Sequence, residues 1–226
     1  MSLKVLYEDN HIIVVEKTAN IPSQGDKTGD TDMLTIIKNY LKEKYNKPGN
    51  VYLGLIHRLD RPVGGVMVFA KTSKAAARLS EEVRNKIFKK EYLAIVNGKM
   101  EERYAQFEDY LWKDEKKNTS YVVKSTKKNA KLASLDYEEL NYDENKNVSL
   151  VKINLHTGRH HQIRVQFSSR GHALYGDNKY HGRGAGQGIC LWAYKITIIH
   201  PVTKEEMTFK DIPEKKGMWK ILNNNT

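Results

Sequence analysis

From Lys90 to Thr157 the sequence passes through five successive strand-like stretches, EYLAIVNGKM, RYAQFEDYLW, TSYVVKST, ASLDYEEL and SLVKINLHT. In the last of these Val151, Ile153 and Leu155 alternate with polar neighbours, the period of a strand with one buried face. Strands following one another this closely favour antiparallel pairing, because parallel neighbours need long crossovers. Helices are expected elsewhere. TDMLTIIKNYLKEKY sets Leu34, Ile37 and Leu41 on one face, with Asp32 as cap and Pro48 and Gly49 as stop, and SKAAARLSEEVRNKIF carries Ala76, Leu79, Val83 and Ile87 behind a Thr72/Ser73 cap. HHQIRVQFSSRG reads as a short helix ended by Gly171, HIIVVEK as a buried strand, ICLWAYKITIIHP as a long strand stopped by Pro201, and the final NNNT as a frayed end. The pattern defines an α+β class, a largely antiparallel mixed sheet flanked by a few helices, with a central cleft expected for the site.

No repeat and no Pro/Ser-rich linker divides the 226 residues, so one domain is expected, with its core at about 6–212 and a tail at 213–226. No apolar run reaches the ~20 residues of a membrane span, and the early acidic residues do not suit a secretory signal, so a cytoplasmic protein is expected. The single cysteine, Cys190, excludes an internal disulfide and lies in an apolar run where it reads as a small buried hydrophobe. Lys+Arg 38 against Asp+Glu 27 gives a formal charge of +11, a balance that favours a polyanionic partner such as nucleic acid.

The segment GLIHRLDRPVGGVMVFAKT concentrates His57, Arg58, Asp60 and Arg61 before a glycine pair and an apolar strand. Pro62, Gly64 and Gly65 bend the backbone where the Asp60 carboxylate could be presented, although a loop carboxylate is more often merely solvated. A second segment, HTGRHHQIRVQFSSRGHALYGDNKYHGRGAGQG, holds five histidines and four arginines. His156 and His160, with His57 or Asp177, could be read as metal ligands, but Gly158 suits a helix poorly and no metalloprotease signature is present. Arginines in such number suit phosphate and carboxylate pairing better. The GRGAGQG run lacks the ending of a nucleotide-binding loop and reads as a flexible surface loop. Tyr92 follows Lys89 and Lys90, an aromatic beside cations of the kind that stacks unpaired bases.

HRLDRPVGGVMVFAKT, KEYLAIVNG, TGRHHQIRVQF, GDNKY and LWAYKITIIHP, in that order, resemble the RluA-type pseudouridine synthases, which isomerise uridine in structured RNA; LYEDNHIIVVEK resembles the family's first strand. The resemblance runs from about Leu6 to Pro201. It implies that Asp60 is the catalytic aspartate, that Tyr92 stacks on the target base, that Arg164 pairs with the aspartate, and that Leu191 lines the pocket. His57, Arg58, Arg61, Lys90 and Arg159 would contact substrate. Three motifs depart from the family pattern: Lys17-Thr18-Ala19-Asn20 stands for K-P-A-G, Val63-Gly64-Gly65 for T-S-G, and Trp192 for a histidine, changes that bear on substrate choice. Relatives often carry a small N-terminal RNA-binding module, and this sequence begins directly at the catalytic region, so target recognition is expected from the domain's own surface.

The implied reaction breaks C1′–N1, turns the uracil and joins C5 to C1′, with no metal, nucleotide or redox cofactor. An ionised Asp60 would attack C1′ or remove the C2′ proton; both schemes stay open. The expected substrate is a stem-loop of ribosomal or transfer RNA, with no obligate protein partner. The alternatives are a metal-dependent RNA phosphodiesterase using the histidine cluster, and a non-catalytic RNA-binding module.

Overall fold

A computed structural model describes residues 3–184 and 186–222; the expected frayed end lies outside them. The chain divides into two compact units, one of residues 1–90 and 193–212, the other of 91–192 and 213–226.

The first unit is built on β1 (Val5–Glu8), β2 (Ile12–Lys17), β3 (Gly54–Leu55) and β4 (Gly64–Ala70), with α1 (Met33–Lys44) and α2 (Ser73–Arg84). β1 pairs antiparallel with β2, and β2 and β3 both pair antiparallel with β4. Every residue of β4 is buried, as a nearly continuous apolar run demands. Its core joins Ile12, Val14, Val66 and Val68 to Leu79 of α2 and to Phe88.

The Asp32 carboxylate caps α1 by accepting from the Thr35 N–H at 3.1 Å. The face that α1 buries is Met33, Ile37 and Leu41, an i, i+4, i+8 stripe, with Leu34 only half-buried. The helix ends at Lys44, where Asn46 turns left-handed with φ 48°, ahead of the expected Pro48 stop. Thr72 caps α2 as expected, whereas Ile87 lies beyond the helix and is exposed.

The second unit carries β5 (Lys89–Asn97, in it from Glu91), β6 (Tyr104–Asp114), β7 (Thr119–Val123), β8 (Lys131–Asp143) and β9 (Val148–Leu155), in the order β5-β9-β8-β6-β7. All four ladders are antiparallel. The five strand-like stretches of the sequence are these five strands. α3 (Gln162–Ser168) follows, and Phe107, Tyr137 and Phe167 form an aromatic cluster with centroids 5.1–5.5 Å apart. A 3-10 turn, Gly217–Ile221, buries Ile221 in what the sequence reads as a tail.

β10 (Leu191–Ile199) begins in the second unit and, from Ala193, belongs to the first, where β11 (Glu206–Lys210) pairs with it antiparallel. Pro201 ends β10, and β11 is a strand that the sequence pattern passes over. Among the described residues the architecture is α+β, with mixed, mostly antiparallel strands and three α-helices.

Candidate active site

Asp60 sits in a turn closed by the Val63 N–H donating to its own carbonyl at 2.9 Å. The turn is held from both sides. Ser23 donates its hydroxyl to the Leu59 carbonyl (2.8 Å) and accepts the Leu59 N–H (3.1 Å). Lys17, fully buried at the end of β2, donates to the carbonyls of Thr18 (3.2 Å), Arg61 (2.9 Å) and Val63 (2.6 Å). Three acceptors match the three protons of an ammonium. Burial nevertheless pulls the Lys17 pKa down to about 7, with the Asp60 charge acting against that fall and Arg61 adding to it. The sequence reading met Lys17 only as a motif residue and missed this role; a lysine closing a strand that opens with four apolar residues was the available signal.

The neighbours of Asp60 divide by environment. His57 is half-buried; its Nε2 accepts the Val68 N–H at 3.1 Å and its ring packs on Phe88 at 5.2 Å. Burial, with the Lys90 charge second, holds its pKa down to about 3, so the ring is neutral. Burial lowers the Lys90 pKa as well. Arg61 is turned to the chain's own 26–30 loop, with Nη1 on Thr28 and Nη2 on Asp30, and its Nε on the Asn20 carbonyl. Arg58 is exposed and makes no side-chain hydrogen bond or ion pair among the described residues, so it is the cation of this motif left open to a polyanion. Beyond the turn, Gly65 has φ 120°, and a Cβ there would lie 2.3 Å from the Ala193 carbonyl oxygen, which explains the glycine.

In the second unit, Tyr92 is buried on β5 opposite Ile153 of β9. Leu191 is buried at the start of β10, directly after Cys190, whose buried thiol has its pKa pushed up to about 12. Arg164, on α3, is 6% exposed and clamps Asp177, itself 1% exposed, through Nε and Nη2 at 2.7 Å each. The guanidinium also lies 5.2 Å from the Tyr180 ring centroid. Asp177, from the GDNKY motif, was not identified by sequence reasoning as a partner of Arg164. Its backbone runs tight: a Cβ on Gly182 would meet the Leu174 carbonyl oxygen at 1.9 Å, so part of the glycine-rich run is packed rather than a plain surface loop.

Four of the five histidines of this segment have hydrogen-bond partners, His172 through its Nδ1 and the Asn97 carbonyl at 3.0 Å. His156 Nε2 meets Asp136 at 2.6 Å, His160 Nδ1 meets the Ser120 hydroxyl at 2.9 Å, and His161 Nδ1 meets the Tyr180 hydroxyl at 3.0 Å. The Tyr180 oxygen accepts the Ser120 N–H at 2.8 Å, leaving its proton for His161. Burial, then the charge of Arg164, lowers the His161 pKa to about 2, in keeping with a neutral acceptor. No group of three His, Cys, Asp or Glu among the described residues has metal-holding geometry. Arg159 is exposed, with Nε donating to the Leu132 carbonyl at 2.8 Å. Gln162 folds the TGRHH turn by accepting from Thr157 and the Arg159 N–H while donating to the Ser134 carbonyl.

Asp60, Tyr92 and Arg164 lie in the HRLD, KEYLAIVNG and HQIR motifs on which the sequence resembles the RluA-type enzymes. The chain belongs to the RNA pseudouridine synthase family: the family model described as RNA pseudouridylate synthase matches residues 11–169. Among relatives, it is 31% identical to the dual-specificity RNA pseudouridine synthase RluA of Haemophilus influenzae over 92% of this chain and 91% of that one, which makes the family RluA-type. It is 32% identical to the uncharacterized RNA pseudouridine synthase YhcT of Bacillus subtilis over 90% of this chain, and spans 66% of that protein's length. The solved structure of human RNA pseudouridylate synthase domain containing 4 has the same fold, with a TM-score of 0.76 at 22% identity, covering 93% of this chain and 89% of that one. Pseudouridine synthases are isomerases.

Proposed function

We propose that this chain isomerises specific uridines to pseudouridine in structured RNA, with Asp60 as the catalytic carboxylate, Arg164 as the guanidinium that steadies it, Tyr92 as the stacking face for the target base and Leu191 as an apolar wall. The observation that carries this reading is the bracing of the Asp60 turn by Lys17 and Ser23, which commits a buried lysine to holding the backbone of the loop that carries this carboxylate. Extruding a nucleotide costs a few kcal/mol. Stacking on an aromatic ring, at about 1–3 kcal/mol per base, offsets much of that cost. A detached uracil held between aromatic and apolar walls can turn without escaping.

The substrate we favour is a stem-loop of ribosomal or transfer RNA, met in the cytoplasm without an obligate protein partner, by a single catalytic domain. Support comes from the charge of +11 and from the printed name of the Haemophilus relative, a dual-specificity RNA enzyme. Among the described residues no helix is long and apolar enough to cross a membrane.

The test is pseudouridine formation on unmodified cellular RNA, read by carbodiimide-dependent primer-extension stops. Formation that persists in EDTA and disappears in Asp60→Asn supports the isomerase. Strand cleavage lost on chelation identifies a phosphodiesterase instead, and tight binding with no pseudouridine identifies a binding module.

A further inference from the structure

Lys113, Lys116, Lys124, Lys127, Lys128 and Lys131 crowd the β6–β7 hairpin and the loop that follows it, and the mechanism uses none of them. The hairpin borders a groove of about 710 Å³ in the second unit, lined by Trp112, Lys113, Lys116, Lys131, Arg159 and His160 among others. Two acids also line it, and both are committed. Glu115 pairs with Lys113 at 2.6 Å, and the Asp114 carboxylate accepts the N–H groups of Lys116 and Lys117 to close the hairpin turn. The side chains of Lys116 and Lys131 have no ion pair among the described residues. Cations left without acids around a concavity hold a positive field that water and salt screen incompletely.

The groove is also partly organised in advance. Arg159 is anchored through Nε to the Leu132 carbonyl, so its terminal nitrogens, unpaired among the described residues, are oriented before any ligand arrives. A fork of this kind matches a phosphate better than an ammonium does. The Trp112 ring stacks with Tyr121 at 6.3 Å and lies under Lys127 Nζ at 4.8 Å, which ties a further cation to the hairpin. Residues 158–160, which also line the groove, lead directly into α3, which carries Arg164.

We propose that this groove is a second RNA-binding subsite, which takes the sugar–phosphate backbone of the strand leading to the target uridine. The inference rests on the isomerase reading for the identity of the strand, and on the groove's own charge and shape for the phosphate. Lys116 and Lys131 supply the sequence-independent attraction. Arg159 fixes the register.

The experiment measures binding of a fluorescein-labelled, unmodified transfer-RNA transcript by anisotropy across a salt series. It compares wild type with the pair Lys116→Glu and Lys131→Glu, and with the charge-matched pair Lys38→Glu and Lys42→Glu on exposed positions of α1. The groove pair is expected to raise Kd at least about tenfold and to flatten the salt dependence by about two phosphate contacts, with the α1 pair changing Kd much less. Equal effects from the two pairs, or no effect from the groove pair, would overturn the proposal. Thermal midpoints equal to wild type show that the substituted chains fold. Pseudouridine formation by wild type is scored separately: its absence, with the groove pair still weakening binding, removes the isomerase reading and leaves the groove as an RNA site.

Discussion

Arg164 and Asp177 form a buried two-point pair, Nε to Oδ2 and Nη2 to Oδ1 at 2.7 Å each, thirteen residues apart. Removing Asp177 takes from the buried guanidinium its two-point acceptor, and breaking a buried pair costs about 3–5 kcal/mol. Asp177→Asn is therefore expected to lower unfolding stability by about that amount in urea melts. The double change Arg164→Met with Asp177→Leu removes both charges and is expected to recover much of the loss while forming no pseudouridine. Normal turnover by the double variant would show that Arg164 serves the fold alone.

Lys17 gives stability a pH dependence with a definite sign. Its folded pKa, about 7, lies below the ordinary 10.5, so between those values the unfolded chain binds more protons and stability rises with pH. The deficit is largest below about pH 7 and disappears above pH 10.5. Against Lys17→Met, wild-type unfolding free energy should gain up to about 1.4 kcal/mol per pH unit between pH 7 and 10. A difference between the two proteins that stays flat over that window would show that the ammonium keeps its ordinary pKa inside the carbonyl cage.

Gly65→Ala should be severe. The φ of 120° is strained for any L side chain, and the added methyl would overlap the Ala193 backbone, which cannot withdraw without disrupting β10. A loss of about 3 kcal/mol or more is expected, seen as a lower thermal midpoint or as insoluble expression. Wild-type stability in this variant would mean that the strand yields there.

Tyr92→Leu keeps most of the buried volume on β5 but removes the aromatic face. If that face carries the target base, kcat/KM falls by roughly ten- to a hundred-fold, the equivalent of about 1–3 kcal/mol of stacking. Melts run alongside separate this from packing loss, and unchanged kcat/KM would remove the stacking role.

The strand sequence of the second unit, the two capped helices, the polyanion preference and the family motifs were all legible in the chain, because each depends on near-neighbour spacing, turn chemistry or overall charge. Small errors arose where that spacing was ambiguous: Leu34 and Met33 compete for one helical face, and only packing chose Met33. The tertiary structure alone decided how the charged groups are used. Arg61 and Asp60 are adjacent in sequence, yet Arg61 turns to the 26–30 loop, while Lys17 reaches carbonyls more than forty residues away and Asp177 closes on Arg164. These choices follow from the path of the backbone and from the high cost of burying a charge unpaired, and neither can be computed from local order along the chain.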